Sequence, residues 1–170
     1  MASSGHSLAE LNSCDQAAFV AALGGLFEHS PWVAEETAGR RPFRDGIQLH
    51  AELCAAMRRA PRERQLALIR AHPDLAERLE GLTAASRREQ SGAGLDLLGA
   101  VELEEFRSLN TAYRERFGFP FVICARLHAK EAILAAMRAR LRHAPEEEFS
   151  AALAEIEKIA WLRLQDVVRE

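Results

Sequence analysis

Apolar residues recur along the chain at helical spacing. Between 149 and 167, Phe149, Ala152, Leu153, Ile156, Ile159, Ala160, Leu164 and Val167 form one broad stripe if each residue turns about 100°. The same periodicity predicts helices near 15–27, 31–38, 45–59, 62–71, 73–80, 84–93, 100–116, 128–143 and 146–168. Breaks such as "EHSPW", "RRPFRDG" and "EGLT" separate them. Ser30 is expected to cap a helix whose first position is Pro31, and Asp45 to cap the next. "TAAS" and "SRRE" overlap as starts, with Ser86 and Glu89 at capping-box spacing. Pro145 and three glutamates suit the positive end of the last helix. The expected fold is all-α: one domain over 1–170, a bundle of about eight or nine helices, with a short buried extended segment near 118–125.

Three places depart from a plain bundle. His72-Pro73 interrupts a helical pattern, because proline lacks an amide donor and drives the residue before it out of the α region. Pro73 and Asp74 would then open a second helix. The corner is either a capped connection or a rigid mount for an acid/base imidazole, whose unperturbed pKa is about 6.5. Arg163 lies inside the apolar stripe of the last helix, where a guanidinium needs a partner. A structural ion pair, a stem reaching outward, and a bidentate contact to a substrate carboxylate or carbonyl are all open there. The third place is "RFGFPFVICAR", 116–126. A buried extended run with no second strand must find other partners for its backbone, either neighbouring helices and water or a small polar ligand.

"SRREQSGAGL", 86–95, adds a hydroxyl, a carboxylate and an amide within about one helical turn. Glu89 and Gln90 diverge by about 100°, so they can flank a ligand but not point at one spot. The glycines do not make a phosphate loop, for want of a lysine and a preceding strand.

Composition narrows the field. With 48% apolar residues the 170-residue chain has ample core material, and alanine, leucine, arginine and glutamate favour helix. Twenty-two basic and 25 acidic residues give a net charge of −3, which argues against a binder of phosphate backbones. No apolar run approaches the roughly 20 residues of a membrane span. Neither a secretory leader nor a peroxisomal tail is read at the ends. Cys14, Cys54 and Cys124, without CxxC spacing, are expected to be reduced thiols acting as small buried hydrophobes in a cytosolic chain. The six histidines show neither HxxxH nor HExxH, so no metal site is expected, and no nucleophile elbow appears.

Taken in order, "LIRAHPDL", "SRREQSGAGL", "LNTAYRERFGFPFVICAR", "KEAIL" and "EIEKIAWLRLQDVV" resemble the OHCU (2-oxo-4-hydroxy-4-carboxy-5-ureidoimidazoline) decarboxylase family. "LNSCDQAAFVAALGGLFEHSPWVAEETAGRRPF" looks like the family's opening, so the resemblance runs over nearly the whole chain. It implies an all-α carboxy-lyase of urate degradation that forms (S)-allantoin without a cofactor. It also implies a homodimer with a small ureidoimidazoline substrate, no nucleic-acid or membrane partner, and upstream urate-pathway enzymes as possible associates. By motif position, His72 would be the acid/base and Glu89 the essential carboxylate, with Pro73 beside them. Ser86, Arg87, Arg88, Glu89 and Gln90 would form one substrate wall, and Phe121, Val122, Ile123, Cys124 and Ala125 a second that binds through its backbone. Arg163, in the final "LRL", would approach the substrate. The connector before "LTAAS" looks shorter than in some animal members, which bears on the placement of Ser86. The alternative is a non-catalytic ureide-binding module of the same fold. Such a module would need Arg163 and the backbone wall, but not the pair His72 and Glu89.

Overall fold

The computed structural model describes residues 5–77 and 81–169. The chain falls into two compact units, Met1–Leu68 with Glu157–Glu170, and Ile69–Ile156. Two helices run from one unit into the other, so the unit boundaries fall within continuous backbone.

In the first unit a two-residue strand β1 (His6–Ser7) pairs in parallel with β2 (Val168–Arg169), His6 opposite Val168. Helix α1 (Leu8–Ser13) starts at a capping box in which Ser7 and Glu10 satisfy each other's backbone N–H groups. α1 and the strand pair lay outside the sequence prediction, since a two-residue strand leaves no periodicity to read. Asp15 caps α2 (Gln16–Leu23) through Ala18, and Asp45 caps α4 (Gly46–Arg59) through Gln48, the latter as expected. α3 (Trp32–Thr37) begins after Pro31, but Ser30 does not cap it. Its hydroxyl donates instead to the Glu28 carbonyl at 2.8 Å. α5 (Arg62–Arg70) leaves this unit at Leu68, and the last helix re-enters it at Glu157. Phe19, Leu23, Phe27, Val33, Leu49, Leu53 and Met57 are among its buried core.

The second unit opens with the end of α5 and the His72 corner. α6 (Ala84–Gly92) is capped by Thr83, whose hydroxyl accepts from the Ser86 N–H, so the earlier of the two overlapping starts is used. α7 (Ala100–Phe117) stops where Gly118 takes φ +78°, a left-handed turn open to glycine at little cost. The segment 119–124 is buried, as expected, and among the described residues it forms neither helix nor strand. It leads through a 3₁₀ turn, Ala125–Leu127, to α8 (Lys130–Arg140) and then α9 (Pro145–Val167). Tyr113, Phe117, Phe119, Phe121 and Phe149 form a chain of tilted, stacked and edge-on ring contacts in this core.

One expected element is missing. Residues 73–77 form turns rather than the first turns of a helix, and 78–80 lie outside the described residues. Ala76 has φ +60°, which a right-handed helix cannot contain. Among the described residues no helix is long and apolar enough to cross a membrane. Cys124 is buried, while Cys14 and Cys54 are half-buried rather than fully enclosed.

Candidate active site

The His72 corner is held both by its own turn and by side chains from other elements. α5 ends at Arg70, and the His72 N–H donates to the Ile69 carbonyl at 3.1 Å. The next residue is proline, so the chain turns and the imidazole is enclosed, 7% exposed. Arg70 Nε donates to the Gly118 carbonyl at 3.0 Å, and Arg114 Nε contacts both Asp74 oxygens at 2.8 and 3.0 Å. Further along, the Ala76 N–H donates to Gln90 Oε1 at 3.0 Å, and Asn110 Nδ2 donates to the Leu75 carbonyl at 2.9 Å. Each amide's orientation follows from its partner, since an N–H needs an oxygen and a carbonyl needs an N–H.

α6 supplies the next group. Ser86 and Gln90, four residues apart, share its buried face, and Glu89 beside Gln90 is half-buried. Arg87 and Arg88 point outward and are exposed, so they do not share that buried face. α6 packs against the 3₁₀ turn Ala125–Leu127, the end of the extended segment. The second unit therefore gathers the proline corner, the Ser86-to-Gln90 helix and the extended wall.

That wall is anchored from behind. The Val122 carbonyl accepts from Arg140 Nη1 at 2.8 Å, and the Cys124 N–H donates to Glu155 Oε2 at 2.9 Å. The Cys124 carbonyl accepts from the Leu127 N–H at 3.1 Å. Arg140 also lies over the Phe121 ring at 4.3 Å and pairs with the fully buried Glu148 at 2.8 and 2.9 Å. Part of the backbone of 121–125 is thus satisfied by neighbouring helices, the plainer of the two outcomes open from sequence. Burial pushes the Tyr113 phenol in this core well above its ordinary range, so it stays protonated.

Arg163 belongs to the first unit. It is 5% exposed, and its Nη2 pairs with Glu28 Oε2 at 2.9 Å, Glu28 being itself buried. The structural ion pair left open from sequence is therefore present. His50, also in that unit, contacts Cys54 Sγ at 3.3 Å, the spacing of a thiol–imidazole nucleophile. Burial pushes that thiol up to about 12, the opposite of activation.

A model of the OHCU decarboxylase family matches residues 12–165. The chain belongs to the OHCU decarboxylase family. It is 47% identical over 159 residues to the 2-oxo-4-hydroxy-4-carboxy-5-ureidoimidazoline decarboxylase of Haloferax volcanii, covering 94% of each chain. With that of Halalkalicoccus jeotgali it shares 41% over 158 residues, 93% of this chain and 89% of the relative. Among solved structures it is similar to a crystal structure of (S)-allantoin synthase, with a TM-score of 0.80 and 34% identity. That likeness covers 96% of this chain and 54% of the other.

Family membership leaves several structural residues to be found in the coordinates. Asn110, Arg140, Glu148, Glu155 and Glu28 hold the corner, the wall and Arg163, and sequence reasoning gave none of the five this role, placing Glu148 only among the glutamates that open the last helix. For Asn110 a signal existed: it sits between Phe106 and Tyr113 on the buried face of α7, a polar group in an apolar stripe, as Arg163 is in α9. The others needed the fold: Arg140 and Glu155 bind backbone groups of Val122 and Cys124, Glu28 pairs with an arginine 135 residues away, and Arg140 and Glu148, eight residues apart, lie on different helices.

Proposed function

We propose that this chain decarboxylates 2-oxo-4-hydroxy-4-carboxy-5-ureidoimidazoline to (S)-allantoin in urate degradation, as a cofactor-independent carboxy-lyase. The observation that carries the reading is the near full-length identity of 47% with a decarboxylase of that name. Cofactor independence is argued from the substrate. When the carbon–carboxylate bond breaks, its electron pair moves into the ring C=N, so the substrate is its own electron sink. CO2 leaves, and the ring nitrogen that receives the electrons takes up one proton from solvent. The hydroxyl then gives up its proton to become a ring carbonyl, and a ring carbon takes up a proton on one face. The protein has to orient the carboxylate and manage those two protons.

In this reading His72 and Glu89 form the proton-handling pair. The support is their placement: a buried imidazole at a fixed corner, and a carboxylate on the helix whose next residue, Gln90, bonds that corner. Pro73 and Ser86 line the same region, and 121–125 gives the opposing wall. Gln90, with its oxygen turned to Ala76, can offer its Nε2 donors to a ligand. Arg163 is assigned to the substrate on its match to the final "LRL", while Glu28 holds its guanidinium within its own unit. Arg87 and Arg88, being exposed, are the weakest members of the proposed wall. We read the chain as one domain, supported by a family match that runs through both units. A homodimer in the cytosol follows the family pattern.

The test generates the substrate in place with urate oxidase and hydroxyisourate hydrolase and follows (S)-allantoin by circular dichroism. Faster appearance of one enantiomer, lost in His72→Ala, is the expected result. His72→Ala and Glu89→Ala should each remove most of the activity and the double variant little more. A rate equal to spontaneous decay, from folded protein, would favour the ureide-binding module instead.

A further inference from the structure

The Leu75 carbonyl and the Ala76 N–H belong to one peptide group. It is gripped on both edges, by Asn110 Nδ2 at 2.9 Å from α7 and by Gln90 Oε1 at 3.0 Å from α6. Both amides are nearly sealed from solvent, at 3% exposure each. The gripped peptide leads directly into Ala76, whose φ of +60° an L-residue adopts only at a cost of about 1–2 kcal/mol. It lies three residues beyond His72-Pro73, with the remaining links, Arg114 to Asp74 and Arg70 to Gly118, on either side of the imidazole.

Asn110 is a poor choice for stability alone. Among the described residues its Oδ1 is buried with no hydrogen-bond partner. An orphaned buried acceptor typically costs about 1–3 kcal/mol, and a half-satisfied amide is worse than an apolar side chain of the same shape. What the amide supplies that leucine could not is a donor to one particular carbonyl. Gln90 likewise supplies the acceptor that the neighbouring N–H would lose when the chain leaves helical geometry at Ala76.

We infer that Asn110 and Gln90 are positioning residues for His72: together they clamp the 75–76 peptide, hold Ala76 in its left-handed conformation and so fix where the corner places the imidazole. The kinetic consequence rests on the decarboxylase reading; the clamp itself does not. Without the clamp, the segment after Pro73 relaxes toward right-handed backbone and the imidazole is displaced. A displacement of about 1 Å at a reacting group can lower the rate by about 100-fold.

Two variants of the full chain test this. Asn110→Asp keeps the shape and replaces the donor by a carboxylate facing the Leu75 carbonyl. Asn110→Leu removes the donor and the orphaned acceptor together. In both, kcat should fall about tenfold or more with KM within about threefold. Asn110→Leu removes the orphaned acceptor but leaves the Leu75 carbonyl unpaired, and because these offset, the melting temperature should change only slightly while kcat falls, a separation that a purely structural residue would not give. Hydrogen exchange at the Ala76 amide should speed up in both variants, and the His72 ring resonances should shift. The decarboxylase reading fails separately, if the unaltered chain gives no more than the spontaneous rate; the exchange and resonance measurements then decide the clamp alone. Wild-type kcat in Asn110→Leu from an active parent, or unchanged Ala76 exchange and His72 resonances, would overturn the inference.

Discussion

Two corners of this protein look alike in sequence. Near the end of "LFEHSPW" and in "LIRAHPDL", a histidine lies one or two residues before a proline at a helix break. Each corner also contains a non-glycine residue with positive φ, His29 at +47° and Ala76 at +60°. The outcomes differ. At the first corner, the Ser30 N–H and hydroxyl are satisfied by the Phe27 and Glu28 carbonyls, and the chain enters α3 at once. His29 is exposed. At the second, the His72 N–H bonds locally to Ile69, but residues 70, 74, 75 and 76 take partners 14 to 48 positions away, residues 73–77 form no helix, and His72 is buried. A corner satisfied locally needs no other element and can face water. One satisfied by side chains from distant helices is a place the whole fold has built, which is what a positioned catalytic group requires.

The sharpest way to break this comparison is to remove each imidazole. His72→Ala should lower kcat/KM for the ureidoimidazoline by about 100-fold or more, the usual contribution of a general acid or base. His29→Ala should leave it within twofold. The coupled dichroism assay measures both, and equal losses would erase the distinction.

The comparison also shows what could be read without coordinates. Helical periodicity located α4, α6, α7 and α9 because each buries one stripe, and Asp45 as a cap followed from its place just before such a stripe. The break at Pro73 was legible for the same reason. What followed it was not: the left-handed turn at Ala76 depends on Gln90 and Asn110, which lie 14 and 35 residues away from the atoms they bind. Local propensity favoured a helix there, and tertiary hydrogen bonds overrode it. The site candidates Ser86, Glu89 and Gln90 were legible as a cluster, but the sequence did not separate buried Ser86 and Gln90 from exposed Arg87 and Arg88. Arg163 stood out as a charge inside an apolar stripe; its partner Glu28, 135 residues away, had no signal of its own.

A second measurement concerns how much each corner matters to stability. Ser30→Ala removes a buried hydroxyl whose 2.8 Å bond closes the first corner. The expected loss is about 1 kcal/mol in urea unfolding, the ordinary worth of one internal hydrogen bond, with the slope of the transition unchanged. That would mark the first corner as a structural connection. A loss of several kcal/mol would mean that α3 and its neighbours depend on this turn for far more than one hydrogen bond.

The smallest effect comes from the two left-handed residues themselves. Glycine at either position relieves the crowding of Cβ against the following carbonyl, about 1–2 kcal/mol, and returns about 0.5–1 kcal/mol of that as added freedom in the unfolded chain. His29→Gly and Ala76→Gly should therefore each raise stability by a few tenths of a kcal/mol, read as a small upward shift of the urea midpoint. Activity separates them. At position 29 nothing downstream depends on backbone stiffness, and turnover should not change. At position 76 glycine admits conformations that the clamped alanine excludes, so kcat should fall by up to about threefold even as the fold becomes firmer. If Ala76→Gly gains stability with no loss of turnover, the clamp holds the peptide well enough alone, and the alanine side chain contributes nothing to placing His72.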